Sequence, residues 1–84
     1  MPVIPSATPN PNALKFTVDE HFDAPMSFIP GREAGDPVAA ALLQLPGVTS
    51  VFMSADFVTI TKAPDAFWDE IAEPAKTILE NAYG

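Results

Sequence analysis

Residues 45–62 contain the pattern that most restricts the fold of this chain. Pro46-Gly47 predicts a helix stop, because proline fixes φ at one turn position and glycine supplies a positive φ at the next. Two runs of β-branched and aromatic residues then flank Ser54-Ala55-Asp56. The second run alternates between two strand faces, one formed by Val58 and Ile60 and the other by Phe57, Thr59 and Thr61. The stretch therefore predicts a β-hairpin with an apolar face that other elements must cover.

The residues before this hairpin predict an arm and two further strands. Prolines concentrated in residues 1–12 favour extended backbone, and we assign residues 1–7 to an extended or disordered arm before a domain at residues 8–84. Residues 13–18 alternate as a half-buried strand, with Leu14, Phe16 and Val18 on its apolar side. Residues 25–30 are bracketed by prolines, which is typical of a short edge strand.

Two helices complete the prediction. Asp36-Pro37 is typical of an N-cap followed by the first helical position, and the helix is expected to continue to residue 45. Its predicted buried stripe is Val38, Ala41, Leu42 and Leu45. A last helix is expected to open at residues 63–65, and Pro74 predicts a bend or a break into two short helices.

The predicted fold class is α+β, a two-layer sandwich. Its four-stranded antiparallel sheet is made of two hairpins in the order ββαββα, with both helices on one face. The other face bears polar side chains and is expected to be open to water or to a partner: Lys15, Thr17, Thr59 and Thr61. If Phe52 or Phe57 forms an apolar patch there, a dimer or client interface is favoured.

Charge and composition exclude several classes of function. The 84 residues contain eleven acidic and four basic side chains, for a net charge of −7, which argues against binding to nucleic acid or to an anionic membrane surface. The absence of cysteine excludes disulfides and thiolate metal sites in this chain. No apolar run approaches the length of a membrane span, and no signal-peptide pattern is visible, so we predict a cytoplasmic protein.

Few residues suggest a catalytic, metal-binding or ligand-binding site. His21 lies among Asp19, Glu20 and Asp23, a pattern that suits either a small metal site or a solvated acidic loop, and the solvated loop is the more ordinary interpretation. Trp68 suits either an interface anchor or a core anchor of the last helix. The glycines do not form a phosphate loop, and no serine lies in a nucleophile-elbow context. We therefore predict that the chain is not an enzyme.

Three segments resemble a known family, the Nfu/NifU N-terminal domain. Residues 8–16, Thr-Pro-Asn-Pro-Asn-Ala-Leu-Lys-Phe, look like its opening signature. Residues 45–52 together with residues 56–62 are similar to its second signature, and residues 68–74 are a third, shorter match. The resemblance extends from residue 8 to about residue 80.

The resemblance implies a role around iron–sulfur clusters. In that family a second domain with a Cys-x-x-Cys motif usually follows, and paired copies of the motif hold a cluster that is passed to apo-proteins. The N-terminal domain is not the cluster ligand and is thought to help recognise partners. Because this chain lacks cysteine, we expect it to bind no cluster of that type, and to be either a stand-alone domain or a fragment of a longer protein.

Two functional hypotheses follow. The first is a non-catalytic adaptor that contacts iron–sulfur carrier or client proteins as a monomer or weak dimer. Its expected surface is the arm at residues 8–12 with the Asp56-Phe57 turn, and the candidate partner-binding residues are Thr8, Asn10, Asn12, Lys15, Asp56 and Phe57. The alternative is a module that binds a metal ion or small molecule at the acidic surface around His21, with Asp19 and Asp23 as candidate ligands.

Overall fold

The computed structural model describes residues 3–30 and 35–83, and these form an antiparallel sheet with two helices. The elements are β1 (Ile4–Ala7), β2 (Ala13–Phe28), α1 (Pro37–Leu43), β3 (Val48–Lys62) and α2 (Trp68–Tyr83). The strand order in the sheet is β1-β2-β3. The α+β class is confirmed. The predicted count of four strands is wrong, because the sheet formed by the described residues has three.

Strand β3 turns back on itself at the place where the sequence predicts a hairpin turn. Fifteen extended residues would span about 50 Å, whereas the longest dimension of the molecule is 31 Å. The two ends of β3 meet, since the Ala63 N–H donates to the Gly47 carbonyl over 2.7 Å and the Thr49 hydroxyl donates to the Thr61 carbonyl over 3.1 Å. Ala55 has a φ of +50°, a left-handed conformation that suits a sharp bend.

Strand β2 follows β3 around this bend. Ala13 pairs with Thr61 and Thr17 with Phe57 on one side of the bend, and Phe28 pairs with Val51 on the other. Between them the register shifts twice, on either side of the Phe22–Ala55 pair. The paired positions Thr17 and Phe28 are eleven residues apart in β2, whereas their partners Phe57 and Val51 are six residues apart in β3. Strand β2 therefore takes the longer, outer path around the bend.

This nesting explains the error in the strand count. The segments predicted as separate strands at residues 13–18 and 25–30 are parts of β2, and the two runs of the predicted hairpin are parts of β3. The bends of β2 and β3 remain paired through Phe22 and Ala55, so neither strand is interrupted. Residue patterns locate a bend but cannot show that a second strand pairs across it.

Strand β1 lies in the segment assigned to an extended or disordered arm. Residues 4–7 pair antiparallel with residues 14–17 of β2, from Ile4–Thr17 to Ala7–Leu14. The side chain of Val3, just before β1, is buried in the core with 2% exposure. Pro5 and the lack of alternation hid this strand, although a proline suits an edge position. Residues 1 and 2 lie outside the described part.

Helix α1 begins as the sequence predicts. The Asp36 carboxylate accepts hydrogen bonds from the Val38 N–H at 2.8 Å and the Ala39 N–H at 3.2 Å, and Pro37 occupies the first turn. The helix ends at Leu43 rather than at residue 45. Its fully buried side chains are Ala39 and Leu42, so the predicted stripe is partly wrong.

The core lies between one face of the sheet and both helices. The strands supply its central layer with Phe16, Val18, Val51, Met53, Val58 and Ile60, and the helices cover it with Ala39, Leu42, Ile71, Ala75 and Leu79. Val58 and Ile60 are fully buried, as their alternation predicts. Burial of apolar side chains in this layer is the main stabilising term for a chain without disulfides.

Helix α2 starts later than predicted and runs unbroken through Pro74. Residues 63–66 form a turn closed by the Ala66 N–H and the Ala63 carbonyl at 3.0 Å, and the helix begins at Trp68. The predicted alternative of two short helices is wrong.

At the other end of α2, the Tyr83 ring meets the Phe22 ring edge-on, with 5.5 Å between the ring centroids. Burial raises the pKa of Tyr83, and the negative charges of Asp36 and Glu20 raise it further.

Replacing Ala55 with glycine should stabilise the protein. An alanine held in the left-handed conformation costs about 1–2 kcal/mol, and glycine avoids this cost because it has no Cβ. We expect Ala55→Gly to raise the free energy of unfolding by about 1 kcal/mol in urea titrations, net of the extra chain entropy of glycine. Ala24→Gly is the matched control, at an exposed β2 position, and should lower it by about 0.5–1 kcal/mol. Destabilisation by both variants would contradict the assigned bend.

Replacing Gly47 with alanine should destabilise the protein strongly. Gly47 has a φ of +86°, and a Cβ built there would overlap with the Cβ of Ala66. We expect Gly47→Ala to cost at least about 2 kcal/mol, from the left-handed backbone and the overlap together. Gly35→Ala is the control, because an added Cβ meets no atom within 4 Å there. Equal midpoints of thermal unfolding for the two variants would refute this account of the turn.

Candidate functional site

The sheet face opposite the helices, called the open face here, carries a row of side chains that crosses all three strands. Ile4 of β1 pairs with Thr17 of β2, and Thr17 pairs with Phe57 of β3. The Phe57 ring lies 6.3 Å from the Phe52 ring, centroid to centroid, and Phe52 pairs with Ser27. Because paired residues in an antiparallel ladder share a face, these five side chains form one continuous row.

Three of the five side chains in this row are apolar, and they are accessible to solvent to different degrees. Ile4 is 56% exposed and Phe52 is 37% exposed, while Phe57 is half-buried. From the sequence, a dimer or client interface is favoured if Phe52 or Phe57 forms an apolar patch on the polar face, and in the structure both rings lie together on that face. Apolar side chains that line up on an otherwise polar sheet face mark a contact surface more often than isolated exposed residues do.

Lys15 lies beside the aromatic pair. Its ammonium nitrogen is 4.6 Å from the centroid of the Phe57 ring, within the range of a cation–π contact. Its neighbours in the ladder are Ser6 on one side and Thr59 on the other. Of the polar residues predicted for this face, Lys15, Thr17 and Thr59 thus lie next to Phe57, whereas Thr61 lies farther along β3, at the Ala13–Thr61 pair.

One end of the sheet carries a group of carboxylates, called the acidic tip here. It consists of Asp19, Glu20 and Asp23 in the bend of β2, and Asp56 in the bend of β3. All four residues are exposed, and Asp56 directly precedes Phe57. The apolar row therefore runs alongside a strongly negative edge.

The opposite end of the sheet carries the signature loop, residues 8–12. The Thr8 hydroxyl donates to the Asn10 carbonyl at 2.8 Å and to the Ala13 carbonyl at 3.0 Å. The Asn10 side-chain oxygen accepts from the Asn12 N–H at 2.9 Å. These bonds are the turn-forming roles that Thr and Asn commonly play, so Thr8 and Asn10 have a structural task here.

Lys62 fastens this loop to the end of β3. Its ammonium donates to the Asn12 side-chain oxygen at 3.0 Å and to the Ala63 carbonyl at 3.3 Å, and it lies 5.9 Å from the Trp68 ring centroid. Lys62 is 8% exposed. A buried ammonium without such acceptors would be costly, so Asn12 is needed where it lies.

Trp68 completes this contact. Its indole N–H donates to the Pro11 carbonyl at 3.1 Å, while its ring packs against the core. Of the two interpretations of Trp68, the structure supports the core anchor. The segments that carry the family resemblance thus meet at one place, through the pairs Asn12–Lys62, Pro11–Trp68 and Lys62–Trp68.

The predicted partner surface divides into two groups. Thr8, Asn10 and Asn12 lie at the signature loop, beside the Ala13–Thr61 pair. Lys15, Asp56 and Phe57 lie on or beside the open face, and Phe57 pairs four ladder steps away, about 13 Å along the strand. From the sequence, both groups are candidates for partner binding, and Ile4 was missed because β1 was missed.

The residues present do not fit an iron–sulfur cluster or an evident metal site. The chain contains no cysteine, so no thiolate is present to hold a cluster. In residues 3–30 and 35–83 no group of three or more His, Asp or Glu side chains is placed to hold a metal ion. His21 is exposed beside Asp19 and Asp23, with its backbone N–H bonded to the Glu20 carboxylate at 3.1 Å. The alternative hypothesis of a metal module gains no support from these positions.

Comparison with protein families gives a match along nearly the whole chain. Residues 3–84 match the family model described as scaffold protein Nfu/NifU N terminal. An Arabidopsis thaliana protein named NifU-like protein 5, mitochondrial, is 38% identical over 82 residues, which cover 92% of this chain and 29% of that protein. A human protein named NFU1 iron-sulfur cluster scaffold homolog, mitochondrial, is 41% identical over 58 residues, covering 66% of this chain and 23% of that protein.

The chain therefore spans less than a third of the length of these curated relatives. Among solved structures, the crystal structure of protein SAV1430 from Staphylococcus aureus is similar with a TM-score of 0.83 and 26% identity. The alignment covers 93% of this chain and 98% of that one.

None of the helices that the structure describes is both long enough and apolar enough to cross a membrane.

Removing the Asn12 side chain should destabilise the protein through Lys62. Asn12→Ala takes away the shorter of the two hydrogen bonds of a buried ammonium, and we expect a loss of about 1–3 kcal/mol in the free energy of unfolding. The control is Asn81→Ala, at an exposed position on α2, which should change it by no more than about 0.5 kcal/mol. If both asparagines tolerate alanine equally, the proposed role of the signature loop is wrong.

Proposed function

Because the chain belongs to the Nfu/NifU N-terminal family, we propose that it is a non-catalytic accessory domain of iron–sulfur cluster assembly that acts by contacting other proteins. The family relates it to cluster scaffolds, as the names of its relatives state. The chain itself lacks the thiolates that hold a cluster, so its contribution must come from contacts with proteins that have them.

The observation that supports this proposal most is the aromatic pair on the open face. Phe52 and Phe57 lie on the side of the sheet that the helices do not cover. A protein of this size gains stability by burying aromatic rings, and here two lie at the surface with Ile4 in line. We assign this row as the surface that contacts iron–sulfur carrier or client proteins.

The signature loop plays a supporting role in the proposal. It ties β1 to the ends of β3 and α2 through Asn12 and Pro11, and this holds Ile4 in the row. Thr8, Asn10 and Asn12 are therefore assigned as residues that position the surface, whereas Lys15 and Phe57 belong to it. The cytoplasmic location also stays a prediction, and the names of the relatives given above include the word mitochondrial.

A binding measurement on purified proteins tests the proposal. The chain is immobilised and exposed to a panel of iron–sulfur scaffold, carrier and apo-client proteins from its own organism, with binding followed by interferometry. We expect at least one member to bind the wild type, and Phe57→Ser to weaken that binding tenfold or more, about 1.4 kcal/mol.

The matched control is Phe67→Ser. Phe67 is 67% exposed and lies just before α2, outside the row. It should leave the affinity unchanged, so loss of binding in both variants would indicate a general effect of surface hydrophobicity. If no member of the panel binds the wild type, the proposed function is wrong.

A further inference from the structure

We propose that the occupant of the open face is an amphipathic segment of a partner protein, with apolar side chains on the aromatic row and lysine or arginine side chains facing the acidic tip. This inference rests on the proposed function for the statement that a partner exists, and it adds the chemistry of that partner. The observation that supports it is the position of the row next to the acidic tip.

The apolar side chains of the row lie where a single segment can cover them. The row formed by Ile4, Thr17, Phe57, Phe52 and Ser27 runs across the strands, perpendicular to their direction. A segment lying along this row can place apolar side chains against Ile4 and the two rings at once. The exposed fractions of Ile4 and Phe52, 56% and 37%, show how much of this surface is left to cover.

The acidic tip determines which charged residues a partner can place at that end of the row. Asp19 follows Thr17 by two residues in β2, and Asp56 precedes Phe57 at the bend of β3, so the acidic tip lies at the end of the sheet next to the row. Asp23 extends it around the bend, whereas the charge of Glu20 also acts on Tyr83 of α2, on the other side of the sheet. A partner with acidic residues on that side would be repelled, whereas lysine or arginine would be attracted.

One basic residue of the described part lies on the open face. Lys15 places a positive charge 4.6 Å from the centroid of the Phe57 ring. Lys62 is buried at the opposite end of the sheet, and Lys76 belongs to α2, which packs on the other face. The negative charge is therefore concentrated at the acidic tip, and we expect a partner's lysine or arginine side chains there rather than beside Lys15.

The same charges disfavour a second copy as the occupant. Two copies that pair through the open face would bring together two chains of charge −7, each with an acidic tip beside the buried rings. Like charges placed near each other across an interface reduce affinity. A partner of opposite charge gains both from burial of the rings and from the tip.

An NMR titration with synthetic peptides tests this inference without any iron–sulfur protein. The probe is a short amphipathic peptide of leucine and lysine, compared with one in which glutamate replaces lysine and one in which serine replaces leucine. We expect the leucine–lysine peptide alone to bind, with amide shifts at Ile4, Thr17, Phe52 and Phe57. Raising the salt concentration from about 0.05 to 0.5 M should weaken binding several-fold by screening.

Two pairs of variants separate the specific surface from general charge. Asp19→Asn with Asp56→Asn should weaken peptide binding about fivefold or more, whereas Asp69→Asn with Glu73→Gln on α2 removes equal charge and should change it by less than about twofold. Phe52→Ser should abolish the shifts in the row, and the wild-type shift map gives the answer independently if that variant unfolds.

Three outcomes would overturn the inference: shifts spread over α2 as much as over the row, equal binding of the glutamate peptide, or light scattering that gives the mass of a dimer for the wild type and of a monomer for Phe52→Ser. These outcomes are distinct from failure of the proposed function. If the peptide binds but no member of the iron–sulfur panel does, the assembly role is wrong and the peptide-binding surface stands. If a panel member binds but the peptide does not, only the stated chemistry of the partner is wrong.

Discussion

The pairing of β2 around the bend of β3 is the constraint on which the rest of the structure depends. β3 returns to its starting point, so that Gly47 and Ala63 are joined by a hydrogen bond, and β2 follows it on the outside. The result is a short, broad sheet in place of long strands. One face of this sheet packs against α1 and α2, and the other face carries the row that includes Ile4, Phe57 and Phe52. Core and candidate binding surface thus have a common origin.

The residues that carry the family resemblance have a structural explanation. The Pro-Asn loop, the lysine at the end of β3 and the tryptophan at the start of α2 meet around the buried Lys62 ammonium. A cation with 8% exposure requires oxygen acceptors in fixed places, and this demand links three distant parts of the sequence. The resemblance therefore marks a contact that closes the fold, and the surface that we propose for partners lies elsewhere, on the open face.

Much of the fold could be predicted from local patterns; the errors in the helices concern their ends and the effect of Pro74, and those in the sheet are non-local. The Asp36 cap, the positive φ of Gly47 and the burial of Val58 and Ile60 follow from rules that act within a few residues. The strand count failed because pairing between Phe22 and Ala55 is set by tertiary structure. Strand β1 was missed because its four residues are exposed and do not alternate. At the candidate site, Lys15 and Phe57 were foreseen, whereas Ile4 enters the row only through β1.

The central claim is that Phe52 and Phe57 form an adjacent pair on a sheet face that the helices leave uncovered. The most direct test is NMR of the aromatic side chains with a soluble paramagnetic relaxation agent. The account predicts a nuclear Overhauser contact between the Phe52 and Phe57 rings and strong relaxation of Phe52, while Phe16 in the core is unaffected. Protection of Phe52 equal to that of Phe16 in the monomeric chain, or no contact between the two rings, would contradict it.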